Sequence, residues 1–143
     1  MPGYQKLLAV LDLSDDSEQV LVAARDIGAY SQAGIVALHV VEFVPIEPMG
    51  ESLMPTVQIE EELIKRSHEK LTVLAARLGL AGASLRVEAG NIKAEILRVA
   101  EEEGADLIVV GSRERHGLAI LVNFTEDTVL HAAHCDVLAV RLR

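Results

Sequence analysis

The chain has one cysteine, few aromatic residues and no long uninterrupted apolar run. A single thiol, Cys135, cannot form an internal disulfide, and a chain without cross-links is compatible with a reducing compartment. The apolar run that follows residues 1–6 is interrupted by Asp12, so it is too short for a signal sequence or a transmembrane helix. These absences predict a cytoplasmic protein.

Cations are also scarce, with 13 Lys and Arg residues against 22 Asp and Glu residues and a formal net charge of -9. Nucleic acids and anionic membranes both require a cationic surface on the protein that binds them. Aromatic residues make up 3% of the chain, which leaves no stacking platform for single-stranded nucleic acid. We therefore expect neither nucleic acid nor a membrane as a partner.

The sequence does contain many apolar residues, arranged in short segments along the chain. Half of its 143 residues are hydrophobic, enough for one domain over residues 1–143 with a sheet buried on both faces. Short apolar segments alternate with longer amphipathic ones, a pattern typical of an α/β doubly wound parallel sheet. The predicted strands are about Lys6 to Leu13, Gly34 to Val41, Ala83 to Ala89, Asp106 to Val110 and Val137 to Leu142.

Four helices are predicted, one between each pair of consecutive strands. Polar residues at their starts can cap free N–H groups, and glycines such as Gly79 and Gly104 mark their ends. The helices begin after Ser14-Asp15-Asp16, run from about Val57 to Leu78, run from Gly90-Asn91 to about Glu103, and run from Thr125 to His134.

The segment from Glu42 to Pro55 has no regular pattern. Its three prolines and one glycine exclude a regular element there, yet it is unusually apolar for a loop. Such a segment should lie against another surface. It can be a flap over the second helix of its own chain, or it can contact a second subunit or form a lid on a cleft.

The most informative stretch follows the predicted fourth strand. It resembles the nucleotide-phosphate signature of the universal stress protein family, in which an Ile- and Val-rich strand leads into Gly-x-x-Gly. In that family Gly-Ser or Gly-Thr follows about eight or nine residues later, at the start of the last helix. Here the stretch reads Val109-Val110-Gly111-Ser112-Arg113-Glu114-Arg115-His116-Gly117, followed by Asn123-Phe124-Thr125.

Other segments resemble the same family in order and spacing over nearly the whole chain. They are Leu7 to Ser14, Leu38 to Val41, Leu107 to Gly111 and His131 to Val140. The resemblance implies an adenine nucleotide alpha hydrolase-like, Rossmann-like fold: a five-stranded parallel sheet of order 3-2-1-4-5 with two helices on each face. It also implies a homodimer that pairs the last strand, Val137 to Leu142.

The resemblance places a nucleotide crevice between the carboxyl ends of strands one and four, where general α/β geometry also places ligands. In nucleotide-binding relatives, the residue that matches Asp12 lies near the ribose or adenine. The residue that matches Val41 holds adenine through its backbone, and the glycine loop that begins at Gly111 wraps the phosphates. Asp12 can also cap the amides at the start of the following helix.

The phosphate loop departs from the family pattern in two places. Glu114 stands where the second glycine is expected, and Asn123-Phe124 stand where Gly-Ser is expected. Glycine permits the close backbone approach that lets consecutive N–H groups point at one anion, whereas Glu114 adds a Cβ and a like charge. Arg113 and Arg115 can offset part of that repulsion but cannot restore the backbone geometry.

The helix start that would meet the phosphates is also altered. Thr125 can cap it, but Glu126 and Asp127 already occupy the positive end of its dipole, and Phe124 is large enough to fill part of the same space. The sequence therefore favours a non-enzymatic stress-response dimer that has no cofactor, does not bind ATP tightly and acts on an unidentified protein partner.

The alternative is a regulator or slow ATPase that holds ATP or AMP with magnesium. Its site would comprise Asp12, Val41, Gly111, Arg113, Gly117, Asn123 and Thr125. Other candidates are weaker. His131, His134 and Cys135 share a helical spacing but have no second ligand pair, so no metal site is predicted, and His39 is interpreted as a packed strand residue.

Overall fold

A computed structural model describes residues 3–42, 53–112, 129 and 131–143, with only the backbone for residues 53–58. Its strands are all parallel and lie in the order β3-β2-β1-β4-β5, which confirms the predicted topology. The elements are β1 (Lys6–Val10), α1 (Ser17–Ala29), β2 (Gly34–Glu42), α2 (Leu53–Arg77), β3 (Ser84–Gly90), α3 (Ile92–Glu103), β4 (Leu107–Ser112) and β5 (Asp136–Arg141).

The core has two layers, one on each face of the sheet. Leu7 and Ala9 of β1 belong to the layer that includes side chains of α1 and α2, whereas Leu8 belongs to the layer that includes α3. Alternate side chains of the same strand are therefore buried on opposite faces, which explains why the central strands are apolar without interruption. Of the predicted fourth helix, residues 129 and 131–134 are described; residues 129, 131 and 132 are helical, whereas 133 and 134 are not, so the helix ends before His134. Val129 is fully buried in the α3 layer.

The first strand ends earlier than predicted, at Val10 rather than Leu13. The Leu11 N–H still donates to the Leu38 carbonyl at 2.8 Å, but Leu13 has φ 60°, in the left-handed region. The chain therefore turns out of the sheet before the predicted end. A leucine with this backbone is uncommon, and nothing in an apolar sequence run marks it.

The second helix begins earlier than predicted, at Leu53 rather than Val57, and Pro55 lies inside it. The expectation that Pro55 excludes a regular element was wrong because the first-turn N–H groups of a helix have no intrahelical partner, so a proline there loses nothing. Residues 43–52 lie outside the described residues, and the two interpretations of that segment remain predictions.

The third helix has the predicted ends. The Asn91 side chain accepts a hydrogen bond from the Ala94 N–H at 2.9 Å, and Gly104 closes the helix in the left-handed conformation at φ 65°. At α1, by contrast, Asp16 occupies the N-cap position without a side-chain cap hydrogen bond. The turn before α1 is instead held by Asp12, as described below.

Asp106 joins the start of β4 to the start of β1. Its Oδ2 accepts the Gln5 N–H at 2.8 Å and its Oδ1 accepts the Lys6 N–H at 3.0 Å. Burial alone would raise the pKa of this carboxyl, but the backbone hydrogen bonds outweigh burial and lower the pKa below its ordinary value of 3.8. The charged form of Asp106 is therefore the one that stabilises the fold.

We expect Asp106→Ala to lower the free energy of unfolding by about 1–2 kcal/mol at pH 7, because two hydrogen bonds to a charged acceptor are lost. Since the folded pKa is lowered, this stabilisation is present above pH 3.8 and is lost as the pH falls through the lower folded value. Urea unfolding of both proteins should show the difference shrinking below pH 3.8, with Asp106→Asn intermediate at pH 7. A difference that stays constant down to pH 2 would contradict this assignment.

Candidate functional site

The sheet order brings three of the predicted site residues together at the carboxyl ends of the strands. Strands β1 and β4 are neighbours with Ala9 opposite Val109, and the winding of the chain reverses between them, which is where α/β proteins bind ligands. Asp12 follows β1, Gly111 lies near the end of β4 and Val41 lies near the end of β2. The other predicted members lie outside the described residues: Arg113, Gly117, Asn123 and Thr125.

The Asp12 carboxylate shapes the turn between β1 and α1. Its Oδ1 accepts the Ser14 N–H at 3.0 Å and the Ser14 hydroxyl at 2.7 Å. Three residues on, the Ser17 hydroxyl donates to the Ser14 carbonyl at 2.8 Å, and Ser17 is buried. The sequence predicted that Asp12 could cap amides at the start of the helix; the amide that it binds is that of Ser14, in the turn before α1. Asp12 is exposed at the edge where a ligand would lie.

His39 positions the same turn from the neighbouring strand. Its Nδ1 lies 2.7 Å from the Leu11 carbonyl oxygen, and the Leu11 N–H donates to Leu38. Both backbone groups of Leu11 are thus tied to β2 immediately before Asp12. In the sequence, His39 is a single polar residue within an apolar strand. Such a residue is expected to have a hydrogen-bond partner, but the sequence does not identify that partner as Leu11.

Gly111 has a packing role that is independent of any ligand. It lies inside β4, opposite Val140, rather than in a loop. A Cβ at this position would lie 2.9 Å from Leu142 Cδ1 and 3.2 Å from Val20 Cγ2, so the Leu142 side chain would have to shift to admit it. Leu142 and Val20 therefore occupy the space beside this glycine, and the sequence cannot reveal that because both partners are distant along the chain.

A cleft of about 650 Å³ opens beside the Asp12 turn, between the start of α1 and the flank of α2. Its volume is typical of small-molecule sites. Arg77 Nη2 of α2 lies 3.1 Å from Glu18 Oε2 of α1 and bridges the two walls. The charged lining is balanced, with three cations and three acids, so the cleft does not select an anion: Arg66, Lys70, Arg77, Asp15, Glu18 and Glu69.

Within the described part of the chain, no group of three or more His, Cys, Asp or Glu side chains is arranged to hold a metal ion. Burial raises the pKa of the Cys135 thiol, and the nearby carboxylates of Asp136 and Asp106 raise it further. The thiol is therefore protonated and weakly nucleophilic at neutral pH. No helix among the described residues is both long enough and apolar enough to cross a membrane.

Comparisons with known proteins agree with this geometry. The universal stress protein family matches residues 3–141. Universal stress protein A homolog 2 of Coxiella burnetii is 34% identical over 144 residues, covering 100% of this chain and 99% of that protein. Homolog 1 of the same organism is 33% identical over 141 residues, covering 98% of each.

Solved structures show the same fold. Universal stress protein UspA from Lactobacillus plantarum superposes with a TM-score of 0.76 at 23% identity, covering 99% of this chain and 100% of that one. A universal stress protein in complex with cAMP superposes with a TM-score of 0.69 at 20% identity, covering 99% of both chains. With its sheet order, its crevice and these matches, the chain belongs to the universal stress protein family.

Proposed function

We propose that this chain is a non-enzymatic cytoplasmic stress-response protein that works as a homodimer through a protein partner and does not bind ATP tightly. The observation that carries the proposal is the altered phosphate signature: Glu114 in place of the second glycine, and Asn123-Phe124 in place of Gly-Ser. A triphosphate needs converging N–H groups and positive potential, and these replacements supply bulk and negative charge.

The signature residues that survive have structural roles of their own, which supports the proposal. Gly111 packs closely against Leu142 and Val20, and the Asp12 carboxylate holds the turn through Ser14. Neither residue needs a nucleotide to account for its presence. Retention of these two residues is therefore weak evidence for a triphosphate site.

The two outer strands of the sheet support dimerisation through β5. Between Asp136 and Arg141, the strand carries four apolar residues in succession, and Ala139 among them is exposed. An outer strand with unpaired backbone groups and apolar side chains is satisfied when a second copy pairs with it about a two-fold axis. The other outer strand, β3, carries charges in its middle, at Arg86 and Glu88.

A second candidate is an adenine nucleotide regulator, binding ATP or AMP with magnesium, or a nucleotide with one phosphate. It is favoured by the distribution of the departures, because Asp12 and Val41 retain the base and ribose half of the site while the changes fall on the phosphate half. A structural neighbour was solved in complex with cAMP, which carries a single phosphate. The residues of this site would be Asp12, Val41, Gly111, Arg113, Gly117, Asn123 and Thr125.

The direct test is whether nucleotide accompanies the purified protein. The protein is denatured, and the extract is examined by its absorbance ratio and by mass spectrometry. The first candidate predicts no stoichiometric nucleotide. Recovery of about one ATP per chain would overturn it, and recovery of AMP or cAMP would establish the single-phosphate alternative.

A further inference from the structure

A cluster of ion pairs covers one face of the outer strand β3. Arg98 Nη2 of α3 lies 2.7 Å from Glu88 Oε1 on β3 and 2.7 Å from Glu95 Oε1 on its own helix. Lys6 of β1 reaches the cluster at its far side, 3.9 Å from Glu103. We name this cluster the edge network; its members are Lys6, Arg86, Glu88, Glu95, Arg98, Glu102 and Glu103.

Four members of the edge network form a closed ring. Arg86 Nε lies 3.4 Å from Glu88 Oε2, and Arg86 Nη2 lies 3.1 Å from Glu102 Oε1. Arg98 bonds the same two carboxylates, Glu88 and Glu102. Each arginine thus contacts both acids and each acid contacts both arginines. Hydrogen bonds from Arg86 and Arg98 lower the pKa of Glu102, and one from Arg98 lowers that of Glu95, so these carboxylates remain charged at neutral pH.

Among the residues that the structure describes, β3 has a neighbouring strand on one side only, and the ring lies on the face of β3 that α3 covers. Side chains alternate along β3, so Leu85 and Val87 pack into the α1–α2 layer while Arg86 and Glu88 face α3. A second strand laid along β3 would have to cover these charged groups, and taking charges out of water is unfavourable even where the charges are paired. Natural proteins use charged side chains in this way to close outer strands.

We propose that the edge network closes β3 to a second copy of the chain, so that assembly through the sheet proceeds by β5 alone. A chain with one self-complementary edge stops at a dimer, whereas a chain with two would form an open row of alternating β5 and β3 contacts. The formation of such an open row depends on the proposed β5 dimer. The closure of β3 does not depend on that dimer, because β3 is an outer strand of the sheet whether or not β5 is paired.

The test is the variant Arg86→Val with Glu88→Val. It removes one positive and one negative charge, so the net charge is unchanged, and it leaves Arg98 with Glu95 and Glu102, and Lys6 with Glu103. Residues 85–89 then become a continuous apolar stretch on an outer strand. Sedimentation velocity over a concentration series should show a weight-average mass roughly twofold or more above that of the parent, because at least one further association step becomes available.

Two controls distinguish the effect of losing the edge network from nonspecific association caused by added apolar surface. Glu62→Val with Arg66→Val removes an exposed ion pair of the same composition from α2 instead of β3 and should keep the parent mass. Arg86→Lys with Glu88→Asp retains the charges on β3 and should also keep it. Larger species from the Glu62 and Arg66 variant in equal amount would overturn the proposal.

The background variant Ala139→Glu makes the result independent of the β5 dimer. If β5 pairing is blocked, the edge-network variant should stop at a dimer formed through β3, while Ala139→Glu alone stays monomeric. A folded edge-network variant that keeps the mass of its parent in both backgrounds would overturn closure and leave the β5 dimer standing. Should the double valine variant fail to fold, Arg86→Thr with Glu88→Thr makes the same test with residues that favour strands.

Discussion

Titration of ATP and magnesium into the wild-type protein should give no saturable heat at tens of micromolar, whereas a triple variant should bind ATP measurably. The variant is Glu114→Gly with Asn123→Gly and Phe124→Ser, which restores the family signature at each altered position. A carboxylate about 4 Å from a phosphate costs on the order of 4 kcal/mol at an effective dielectric near 20. Since about 1.4 kcal/mol is a tenfold change in affinity, the gain is large enough to measure.

The three changes should contribute in different ways, which isothermal calorimetry at two salt concentrations can separate. The contribution of Glu114→Gly should be greatest at low salt, because the repulsion is screened over a Debye length of roughly 10 Å at 0.1 M. The contributions of Asn123→Gly and Phe124→Ser should persist at any salt, because they act through space and backbone geometry.

Two further variants fix where the gained ligand lies. Glu101→Gln removes one negative charge from an exposed position on α3 and should add no binding. Asp12→Ala, made in the triple variant, should weaken the new binding because Asp12 lies at the edge where the base and ribose are expected. Micromolar ATP binding by the unmutated protein would instead promote the nucleotide-regulator alternative, with Arg113 and Arg115 as the compensating contacts to test next.

Features set by local chemistry could be predicted from the sequence. The run from Leu107 to Val110 is fully covered, so its lack of polar residues indicates a central parallel strand. Asn91 and Gly104 bound α3 as predicted, because a cap depends on residues within one turn of the helix end. The strand order β3-β2-β1-β4-β5, by contrast, was implied by the family resemblance and not by these local signals.

Features that depend on distant partners could not be predicted. His39 contacts Leu11, and Gly111 packs closely against Leu142, pairs separated by 28 and 31 positions. The left-handed backbone of Leu13 is likewise set by the surrounding turn and not by leucine itself. These long-range contacts position the residues that line the crevice. The sequence therefore predicts the location of the site, but not the hydrogen bonds and packing contacts that position its residues.

The β5 dimer predicts that a single charge placed on that strand should separate the subunits. Wild-type protein should sediment as a dimer at micromolar concentration, and Ala139→Glu should sediment as a monomer. Ala139 is exposed among the apolar residues of β5, and pairing of this strand about a two-fold axis would remove both introduced carboxylates from water. Burial of an unpaired carboxylate is strongly unfavourable, so the dimer should dissociate at micromolar concentration.

The matched control adds the same charge elsewhere. Tyr30→Glu changes a residue that is 92% exposed at the end of α1, and it should leave the dimer intact, so a general effect of net charge is excluded. Ala139→Ser keeps the strand uncharged and should retain the dimer as well. Because Ala139 is exposed in the single chain, none of these changes disturbs the core, and unfolding curves should confirm that Ala139→Glu is folded. A dimer that survives Ala139→Glu at micromolar concentration would place the subunit contact on another surface of the molecule.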